Sequence, residues 1–134
     1  TTQRMTRFLL IDDDTIISVF HPATIHRAIG NSTIETTPSG TEALELLDVL
    51  MKNGETAPNF IFLDINMPEI NGFEFLDLLT EEEKSFLKDS KIIMLSSSVN
   101  QKDIERAKTY PIIRDFVSKP LTVEYIRGLV GIAN

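Results

Sequence analysis

Five short apolar runs alternate along the chain with segments in which apolar residues recur at helical spacing. Three runs are strong, at residues 8–11, 60–63 and 92–95, while a weaker one covers about 33–37 and a short one covers 116–117. Strands that are apolar without alternation are usually buried on both faces, which requires a parallel sheet with helices on each side. The pattern therefore predicts five βα units in a doubly wound α/β fold.

The segment after the first strand predicts a helix with one apolar stripe toward the core. Residues at i, i+3, i+4 and i+7 form this stripe, namely Ile16, Val19, Phe20 and Ala23. Pro22 cannot donate a hydrogen bond to the carbonyl of Ser18, and its ring crowds that carbonyl. We therefore expect a kink or an early end of the helix at Pro22.

A capping box predicts the start of the second helix at Ser39, because Glu42 follows three residues later. Gly54 is suited to end this helix, since glycine adopts the left-handed conformation of a C-cap without strain. The predicted buried stripe is Ala43, Leu46, Leu47 and Leu50.

Three further helices are predicted after the third strand. Gly72 and Phe73 open the third helix, and the three glutamates at 81–83 are interpreted as a solvated face or a turn. The fourth predicted helix starts near Asn100 and stops before Pro111. The side chains predicted to face the core are Phe75, Leu76 and Leu79 in the third helix, and Val123, Ile126 and Val130 in the fifth.

Right-handed crossovers leave few orders for five parallel strands, and the common one is 2-1-3-4-5, as in flavodoxin-like folds. Ligands of such folds bind beyond the carboxyl ends of strands 1 and 3. A length of 134 residues with 42% hydrophobic content fits one domain over residues 1–134.

Composition excludes several classes of function. Twenty acidic residues against thirteen basic ones leave a formal charge of -7, which opposes the phosphate contacts of direct nucleic-acid binding. No apolar run exceeds four residues, so we expect no membrane span and no signal peptide, and we predict a cytoplasmic location. The chain has no cysteine, which excludes disulfides, thiolate metal sites and a cysteine nucleophile.

Polar side chains follow four of the five predicted strands. They are Asp12, Asp13 and Asp14 after strand 1, Asp64 after strand 3, Ser96 to Ser98 after strand 4, and Lys119 after strand 5. Strands 1 and 3 are neighbours about 4.8 Å apart in the predicted order, so Asp12, Asp13 and Asp64 can converge. Two carboxylates about 4 Å apart repel by roughly 4 kcal/mol at an effective dielectric constant near 20. The cluster therefore requires a proton or a cation.

The ligand chemistry at these strand ends favours Mg²⁺, with Mn²⁺ as a substitute, because the ligands are hard oxygens without cysteine or nearby histidine. An aspartate beside such an ion can attack a phosphoryl group and form an acyl phosphate. Metal and ammonium groups then neutralise the charge on the transferred oxygens. This makes Asp64 the candidate nucleophile, with Lys119 and Ser96 positioned to receive the phosphoryl group.

Each of these groups also has a purely structural interpretation. An aspartate triplet after a strand is most often a helix N-cap, with odds of about two in three when taken alone. The serines at 96–98 are common loop residues, and Phe116 is by base rate a core aromatic. His21 and His26 have no neighbours at ligand spacing, so no role is predicted for them. The functional interpretation is favoured because all four groups fall at one edge of the predicted sheet.

Taken together, these residues resemble the receiver domains of two-component response regulators over essentially the whole chain. LLIDDD at 9–14 is similar to the first acidic strand end of that family, and FLDINMP at 62–68 with Gly72 is similar to its phosphoacceptor motif. IMLS at 93–96 and DFVSKP at 115–120 are similar to its hydroxyl and lysine segments. The resemblance implies a single receiver domain over 1–134, with a cis bond between Lys119 and Pro120.

The resemblance also implies a role for each residue of the acidic cluster. Asp64 is expected to be phosphorylated, and Asp13 and Asp64 are expected to bind Mg²⁺ directly. Asp12 is expected to bind the ion through water, and Asn66 through its backbone carbonyl.

A conformational switch is implied as well. Ser96 is expected to move toward a phosphate on Asp64, and Phe116 to turn into the space that Ser96 leaves. The change would alter the face formed by the fourth predicted helix, strand 5 and the fifth predicted helix. Asn66 and Ser98 lie at positions that tune the lifetime of the phosphoryl group in this family.

The implied partners are a sensor histidine kinase or a histidine phosphotransfer protein, together with an unknown downstream protein. We expect a stand-alone signalling domain rather than an enzyme, either monomeric or dimerising on phosphorylation. Two sequence features depart from the family pattern and affect the docking faces, namely Pro22 in the first helix and Tyr110-Pro111 before strand 5.

Two alternatives stay open at this level. One is a magnesium-dependent phosphohydrolase of the haloacid-dehalogenase type, which is disfavoured because the acidic pair precedes the nucleophile and Asn66 replaces that family's second aspartate. The other is a degenerate receiver that binds partners without phosphorylation. Asp13, Asp64, Ser96 and Lys119 argue against it.

Overall fold

The computed structural model describes residues 5–131, so residues 1–4 and 132–134 of the predicted domain lie outside the described range. Five strands and six helices lie within this range, and they alternate except that two helices separate the third strand from the fourth. The strands are β1 (Thr6–Ile11), β2 (Ser32–Thr37), β3 (Phe60–Asp64), β4 (Lys91–Ser96) and β5 (Ile113–Ser118). The helices are α1 (Ile17–Ala28), α2 (Gly40–Lys52), α3 (Gly72–Asp77), α4 (Glu81–Phe86), α5 (Gln101–Lys108) and α6 (Val123–Leu129).

The strands form one parallel sheet in the order β2-β1-β3-β4-β5, which confirms the predicted topology. Ile11 pairs with Leu63, and Asp64 pairs with Leu95. Ser96 pairs with Ser118 at the end of the last two strands. This register brings the polar residues that end or follow β1, β3, β4 and β5 to the same edge of the sheet.

Both faces of the sheet are buried, as the continuous apolar runs predict. Alternate side chains such as Leu9, Ile61 and Leu63 pack with residues of α2, α3 and α5, whereas Phe8 and Phe62 pack with residues of α1 and α6. Burial of one such side chain contributes about 1.5–3 kcal/mol. The sheet is therefore a rigid support for the loops at its carboxyl edge.

The predicted N-cap Ser39 and the predicted terminal Gly54 of α2 are confirmed, whereas the reciprocal bond of a capping box, from the Glu42 side chain to the Ser39 N–H, is not among the contacts of these described residues. The side chain of Ser39 accepts a hydrogen bond from the backbone N–H of Glu42, at 3.1 Å. At the other end, Gly54 has a φ of 68°, and the N–H of Glu55 donates to the carbonyl of Leu50 at 3.0 Å. The stripe predicted to be buried is buried at Ala43, Leu47 and Leu50 and partly buried at Leu46.

The interpretation of residues 81–83 as a solvated face or turn is only partly confirmed, because Glu81 and Glu82 are exposed but all three residues begin the additional helix α4. Thr80 and Glu83 form a capping box that starts this helix. Glu83 is buried, and its carboxylate accepts from the backbone N–H of Thr80 at 2.8 Å. The Thr80-x-x-Glu83 spacing in the sequence was the available signal. The fourth and fifth predicted helices are consequently α5 and α6.

The last two helices otherwise agree with prediction. Asn100 caps α5 by accepting from the N–H of Asp103 at 2.9 Å, and α5 ends before Pro111. Ile126 of α6 is fully buried, and Val123 and Val130 are partly buried. No described helix is long and apolar enough to cross a membrane.

The predicted inward stripe of α1 is wrong. Ile16, Val19 and Phe20 are 77%, 75% and 50% exposed, and Ala23 is also exposed. The core instead receives a second stripe at the same helical spacing, namely His21, Thr24, Ile25 and Ala28. Helical periodicity identifies candidate stripes, but the more apolar stripe here faces outward. A patch of exposed apolar side chains therefore lies directly after the aspartate triplet.

An early end of α1 at Pro22 is also wrong, since the helix runs without interruption from Ile17 to Ala28. Pro22 removes one backbone N–H from the hydrogen-bonding series, and the surrounding helix tolerates that loss. The start of α1 is held instead by Asp14. Its Oδ1 accepts from the N–H groups of Ile16 and Ile17, at 2.9 and 3.2 Å.

Candidate functional site

Three aspartates converge at the carboxyl edge of β1 and β3. Oxygen atoms of Asp12, Asp13 and Asp64 all lie within 4.8 Å of one another. Asp12 and Asp64 are both 4% exposed, whereas Asp13 is exposed. The predicted convergence of the three carboxylates is therefore present in the structure.

The three consecutive aspartates have different contacts. Oδ1 of Asp12 accepts from the backbone N–H of Asp14 at 2.9 Å and fixes the turn after β1. Asp14 caps α1, which is the structural role that an aspartate after a strand usually has. Asp13 makes neither contact and points a free, exposed carboxylate at the same cluster. One local turn thus contains both the N-cap and the candidate ligands.

Lys119 connects the carboxylates of the two buried aspartates. Its Nζ lies 2.7 Å from Oδ2 of Asp12 and 3.1 Å from Oδ1 of Asp64. Burial acts to lower the pKa of Lys119, but the two carboxylates outweigh it and raise that pKa. The backbone N–H of Lys119 also donates to the carbonyl of Ser96 at 2.8 Å. The ammonium group is therefore charged and held against the acidic cluster.

The electrostatics of Asp64 are unusual for a carboxylate beside a lysine. Burial, followed by the negative charge of Asp12, raises the pKa of Asp64 to about 6. Contacts with Lys119 and with the N–H of Asn66 oppose this rise without cancelling it. The ionised form of Asp64 is thus destabilised, and a further cation or a bond to its oxygen relieves that cost.

The donor set fits a hard divalent cation. It consists of carboxylate oxygens only, and Oδ2 of Asp12 is buried with no described donor near it apart from the Lys119 ammonium. Such oxygens suit Mg²⁺ or Mn²⁺, whereas softer metals prefer nitrogen or sulfur ligands. The residues that would hold the ion are those of the three-aspartate cluster.

Ser96 lies at the end of β4 and is fully buried. Its hydroxyl donates to the carbonyl of Ser98 at 2.8 Å and accepts from the N–H of Ser98 at 3.1 Å. Any movement of the Ser96 hydroxyl toward Asp64 must therefore break this local pair. Ser98 is thereby linked directly to the state of Ser96.

Phe116 of β5 is half-buried and packs against the core cluster on the α2 to α5 side of the sheet. A cavity of about 360 Å³ lies beside it, lined also by Val99, Ile104 and Ala107. The Phe116 ring thus has core residues on one side and open space on the other, so the space beside it leaves room for a change of rotamer.

A family model described as the response regulator receiver domain matches residues 8–130. The chain belongs to this family. As a receiver it is a phosphorylatable signalling domain of two-component systems, and the resemblance inferred from its motifs is confirmed. The phosphohydrolase alternative is set aside. Receivers bind Mg²⁺ at an acidic pocket, and the three-aspartate cluster of this receiver corresponds to such a pocket.

Similar proteins agree with this assignment. A solved two-component response regulator from Cytophaga hutchinsonii is 32% identical, with a TM-score of 0.87 and coverage of 96% of both chains. Another from Legionella pneumophila is 30% identical, with a TM-score of 0.78 and coverage of 94% of this chain and 95% of that one. The probable C4-dicarboxylate response regulator DctR of Halalkalibacterium halodurans is 28% identical over 91% of this chain. This receiver spans 48% of that protein.

His21 has a structural role that the sequence did not indicate. It is 1% exposed, and its Nε2 accepts a hydrogen bond from the N–H of Leu121 at 3.0 Å. This bond joins α1 to the segment that carries Lys119, in which the bond from Lys119 to Pro120 is cis as expected. Burial lowers the pKa of His21 to about 4, although the charges of Asp12 and Asp14 oppose the shift and that of Lys119 reinforces it.

Because the His21 imidazole is buried in its neutral form, we expect the stability of the fold to decrease at acidic pH. The unfolded chain binds the His21 proton near pH 6.5 and the folded chain only near pH 4, so stability is retained above pH 6.5 and falls as the pH is lowered toward 4. His21→Gln keeps an acceptor for Leu121 but does not titrate. We expect it to reduce the slope of unfolding free energy against pH by up to about 1.4 kcal/mol per pH unit. Urea unfolding between pH 4 and 7 measures this slope.

His26 provides the matched control, because it is exposed on the same helix. His26→Gln makes the same substitution at a ring that contacts the Ser32 hydroxyl, at 3.2 Å, and not a buried backbone N–H, and the slope is expected to fall less than in His21→Gln. A slope unchanged in His21→Gln would contradict the assignment of the acid sensitivity to His21.

The loop after β3 contains one strained residue. Glu69 has a φ of 69°, in the left-handed region that costs a residue with a Cβ about 1–2 kcal/mol. Glu69→Gly is therefore expected to raise the free energy of unfolding by about 1 kcal/mol, measured by urea unfolding. Glu69→Ala keeps the Cβ and is expected to give no such gain. An equal gain in both variants would show that charge, not backbone strain, is responsible.

Proposed function

We propose that Asp64 accepts a phosphoryl group from a phosphohistidine donor in a magnesium-dependent reaction. The observation that carries the proposal is the arrangement of Asp64 itself, which is buried, within 4.8 Å of two other carboxylates and 3.1 Å from the Lys119 ammonium. A carboxylate oxygen of Asp64 would attack phosphorus, and the bond from phosphorus to the donor's imidazole nitrogen would break. The nitrogen keeps the bonding electron pair, and an acyl phosphate forms on Asp64.

Each neighbouring residue has a specific task in this proposal. Asp13 and Asp64 would bind Mg²⁺ directly, Asp12 through water, and Asn66 through its backbone carbonyl. The ion, when bound, would neutralise negative charge on the phosphoryl oxygens. Lys119 would exchange its contact with the Asp64 carboxylate for a contact with a phosphoryl oxygen.

The proposed output is a switch at Ser96 and Phe116. Once phosphate is present, the Ser96 hydroxyl gains a stronger, charged acceptor than the Ser98 carbonyl, and it would leave its present pair. Phe116 would then turn toward the vacated space and reshape the α5, β5 and α6 face for a downstream protein. Ser98 and Asn66 would tune the phosphoryl lifetime, since both lie next to the groups that must move.

The phosphodonor partner would be a histidine kinase or a histidine phosphotransfer protein, and the exposed stripe of α1 supports this proposal. Ile16, Val19 and Phe20 lie just after the acidic turn, so a donor that covers them is also near Asp64. Apolar side chains at such exposure stabilise a contact once a partner removes them from water. A cytoplasmic location, a stand-alone role and dimerisation on phosphorylation stay predictions from the sequence.

The test is phosphoryl uptake from a small acyl phosphate in the presence of Mg²⁺, measured as a gain of intact mass. We expect uptake by the native receiver and by Asp48→Asn, which changes a partly exposed carboxylate of α2 that pairs with Lys52 outside the site. Asp64→Asn, or native protein in excess chelator, is expected to show no uptake. Labelling of Asp64→Asn would sink the proposal, whereas absence of labelling in the native protein would favour the degenerate alternative.

A further inference from the structure

An apolar cavity of about 410 Å³ opens where α3, α4 and residues 110–112 meet. We call this cavity the basal cleft, and it is lined by Leu76, Asp77, Leu79, Lys84, Tyr110, Pro111 and Ile112. Leu76 and Leu79 are almost fully buried, so the cleft reaches the core. Leu78, next to Leu79 in the sequence, is 54% exposed.

One wall of the basal cleft is held in place by specific contacts. The hydroxyl of Tyr110 donates to Oδ1 of Asp77 at 2.9 Å, and its ring centroid lies 5.4 Å from that of Phe73. Phe73 is itself held by Arg106, whose guanidinium carbon lies 4.4 Å from the centroid of the Phe73 ring. The cleft is therefore formed before any ligand binds, which lowers the entropic cost of binding.

A basic rim adjoins the basal cleft. A second cavity of about 330 Å³ shares Lys84, Pro111 and Ile112 with the first. The cations in its lining are Lys84, Lys88, Lys91 and Arg114, and Asp89 is the carboxylate among its described lining residues. Within the described part of the chain, none of the four cations lies within 4.0 Å of a carboxylate oxygen.

Four cations and one described carboxylate line this rim next to a preformed apolar cavity, in a chain whose net charge is -7. We propose that the basal cleft docks an acidic amphipathic segment of a protein partner, most simply a helix. Apolar side chains of the segment would enter the cavity, and its carboxylates would face the four cations of the rim. Apolar anchors supply the affinity of such an interface, and complementary charge supplies its specificity and its association rate.

The basal cleft lies at the opposite edge of the sheet from Asp64. Lys91 of the rim begins β4 and Ser96 ends it, and this length of strand spans about 17 Å at about 3.3 Å per residue. A segment bound in the cleft therefore leaves the acidic cluster open. The inference does not depend on the proposed phosphoryl transfer and holds for the unphosphorylated chain.

The test uses a labelled helical peptide of about 16 residues with leucines at i, i+3, i+4 and i+7 and glutamates on both sides of that stripe. A matched peptide has lysine in place of every glutamate. We expect fluorescence anisotropy to show at least about tenfold tighter binding of the glutamate peptide to the full chain. In ¹H–¹⁵N spectra we expect the shifted amides to be those of residues 76–91 and 110–114.

Lys84→Glu and Lys102→Glu make the same charge change on exposed helical lysines, one in the cleft and one on α5. Lys84→Glu is expected to weaken binding of the glutamate peptide at least about tenfold. Lys102→Glu is expected to weaken that binding less than about twofold. Equal weakening would mean non-specific attraction and would overturn the proposal. Amide chemical-shift changes confined to α1 or to the α5, β5 and α6 face would overturn the proposal as well. So would sedimentation that shows the chain associating with itself, if Lys84→Glu abolishes that association.

Discussion

Asp64→Asn is expected to make the receiver more stable than the native protein by about 2–3 kcal/mol at pH 7 in the presence of a chelator. Burial and the charge of Asp12 raise the pKa of Asp64 from an ordinary 3.8 to about 6, so its ionised form is disfavoured in the fold. The shift corresponds to about 3 kcal/mol at pH values where Asp64 is ionised. Asparagine removes the charge and still accepts from the N–H of Asn66.

The pH dependence of this gain follows from the same shift. The folded protein binds the Asp64 proton more tightly than the unfolded chain, so that contribution to stability is fully present below about pH 4 and is lost as the pH rises through about 6. The difference between Asp64→Asn and the native protein should therefore grow from about pH 4 to 6 and level off above. Urea unfolding of both proteins across this range measures it.

Magnesium should cancel most or all of this difference in stability if the acidic cluster binds it. At a concentration about 100 times its dissociation constant, the ion adds about 2.7 kcal/mol to the native protein. Asp64→Asn should gain little. Asp13→Asn is the matched control, because Asp13 is exposed and its loss should change stability in chelator by only about 0.5 kcal/mol. It should nevertheless lose the magnesium effect, and an undiminished effect would contradict its role as a ligand.

Gly72→Ala is expected to destabilise the receiver by about 2–3 kcal/mol and to slow phosphoryl uptake by Asp64 by about tenfold or more. A Cβ at position 72 would lie 2.7 Å from the backbone carbonyl oxygen of Asp64 and 2.9 Å from Cε of Met94. The Met94 side chain can move, but the Asp64 carbonyl belongs to β3. The strand end that carries the candidate nucleophile must therefore shift.

Gly40→Ala is the matched control for Gly72→Ala. A Cβ there would approach Cδ1 and Cγ1 of Ile70 at 2.6 and 2.8 Å, so the closest contacts are with a side chain that can change rotamer. We expect a smaller destabilisation, of about 1 kcal/mol, and normal phosphoryl uptake. Thermal unfolding and the mass assay report the two effects separately. Equal loss of uptake in both variants would contradict the assignment of the effect to the Asp64 carbonyl.

The sequence alone was sufficient for the sheet and for the edge where the chemistry is concentrated. Strands buried on both faces are apolar along their whole length, and this signal does not depend on contacts elsewhere in the chain. Because the carboxyl ends of parallel strands share an edge, the positions of Asp12, Asp64, Ser96 and Lys119 after their strands were enough to predict the cluster. The N-cap Ser39 of α2 and its terminal Gly54 are equally local signals.

Only the tertiary structure decided which residues face the core or the site where the sequence offered two equivalent sets. Two stripes of α1 have helical spacing, and packing against the sheet and α6 selects the one with Ile25 and His21 rather than the more apolar one. Likewise, the triplet at 12–14 contains three identical side chains, and only the turn after β1 separates the N-cap Asp14 from the candidate ligands. Local pattern determines which elements form, whereas burial, charge and steric contact between distant segments determine which side chain faces the site.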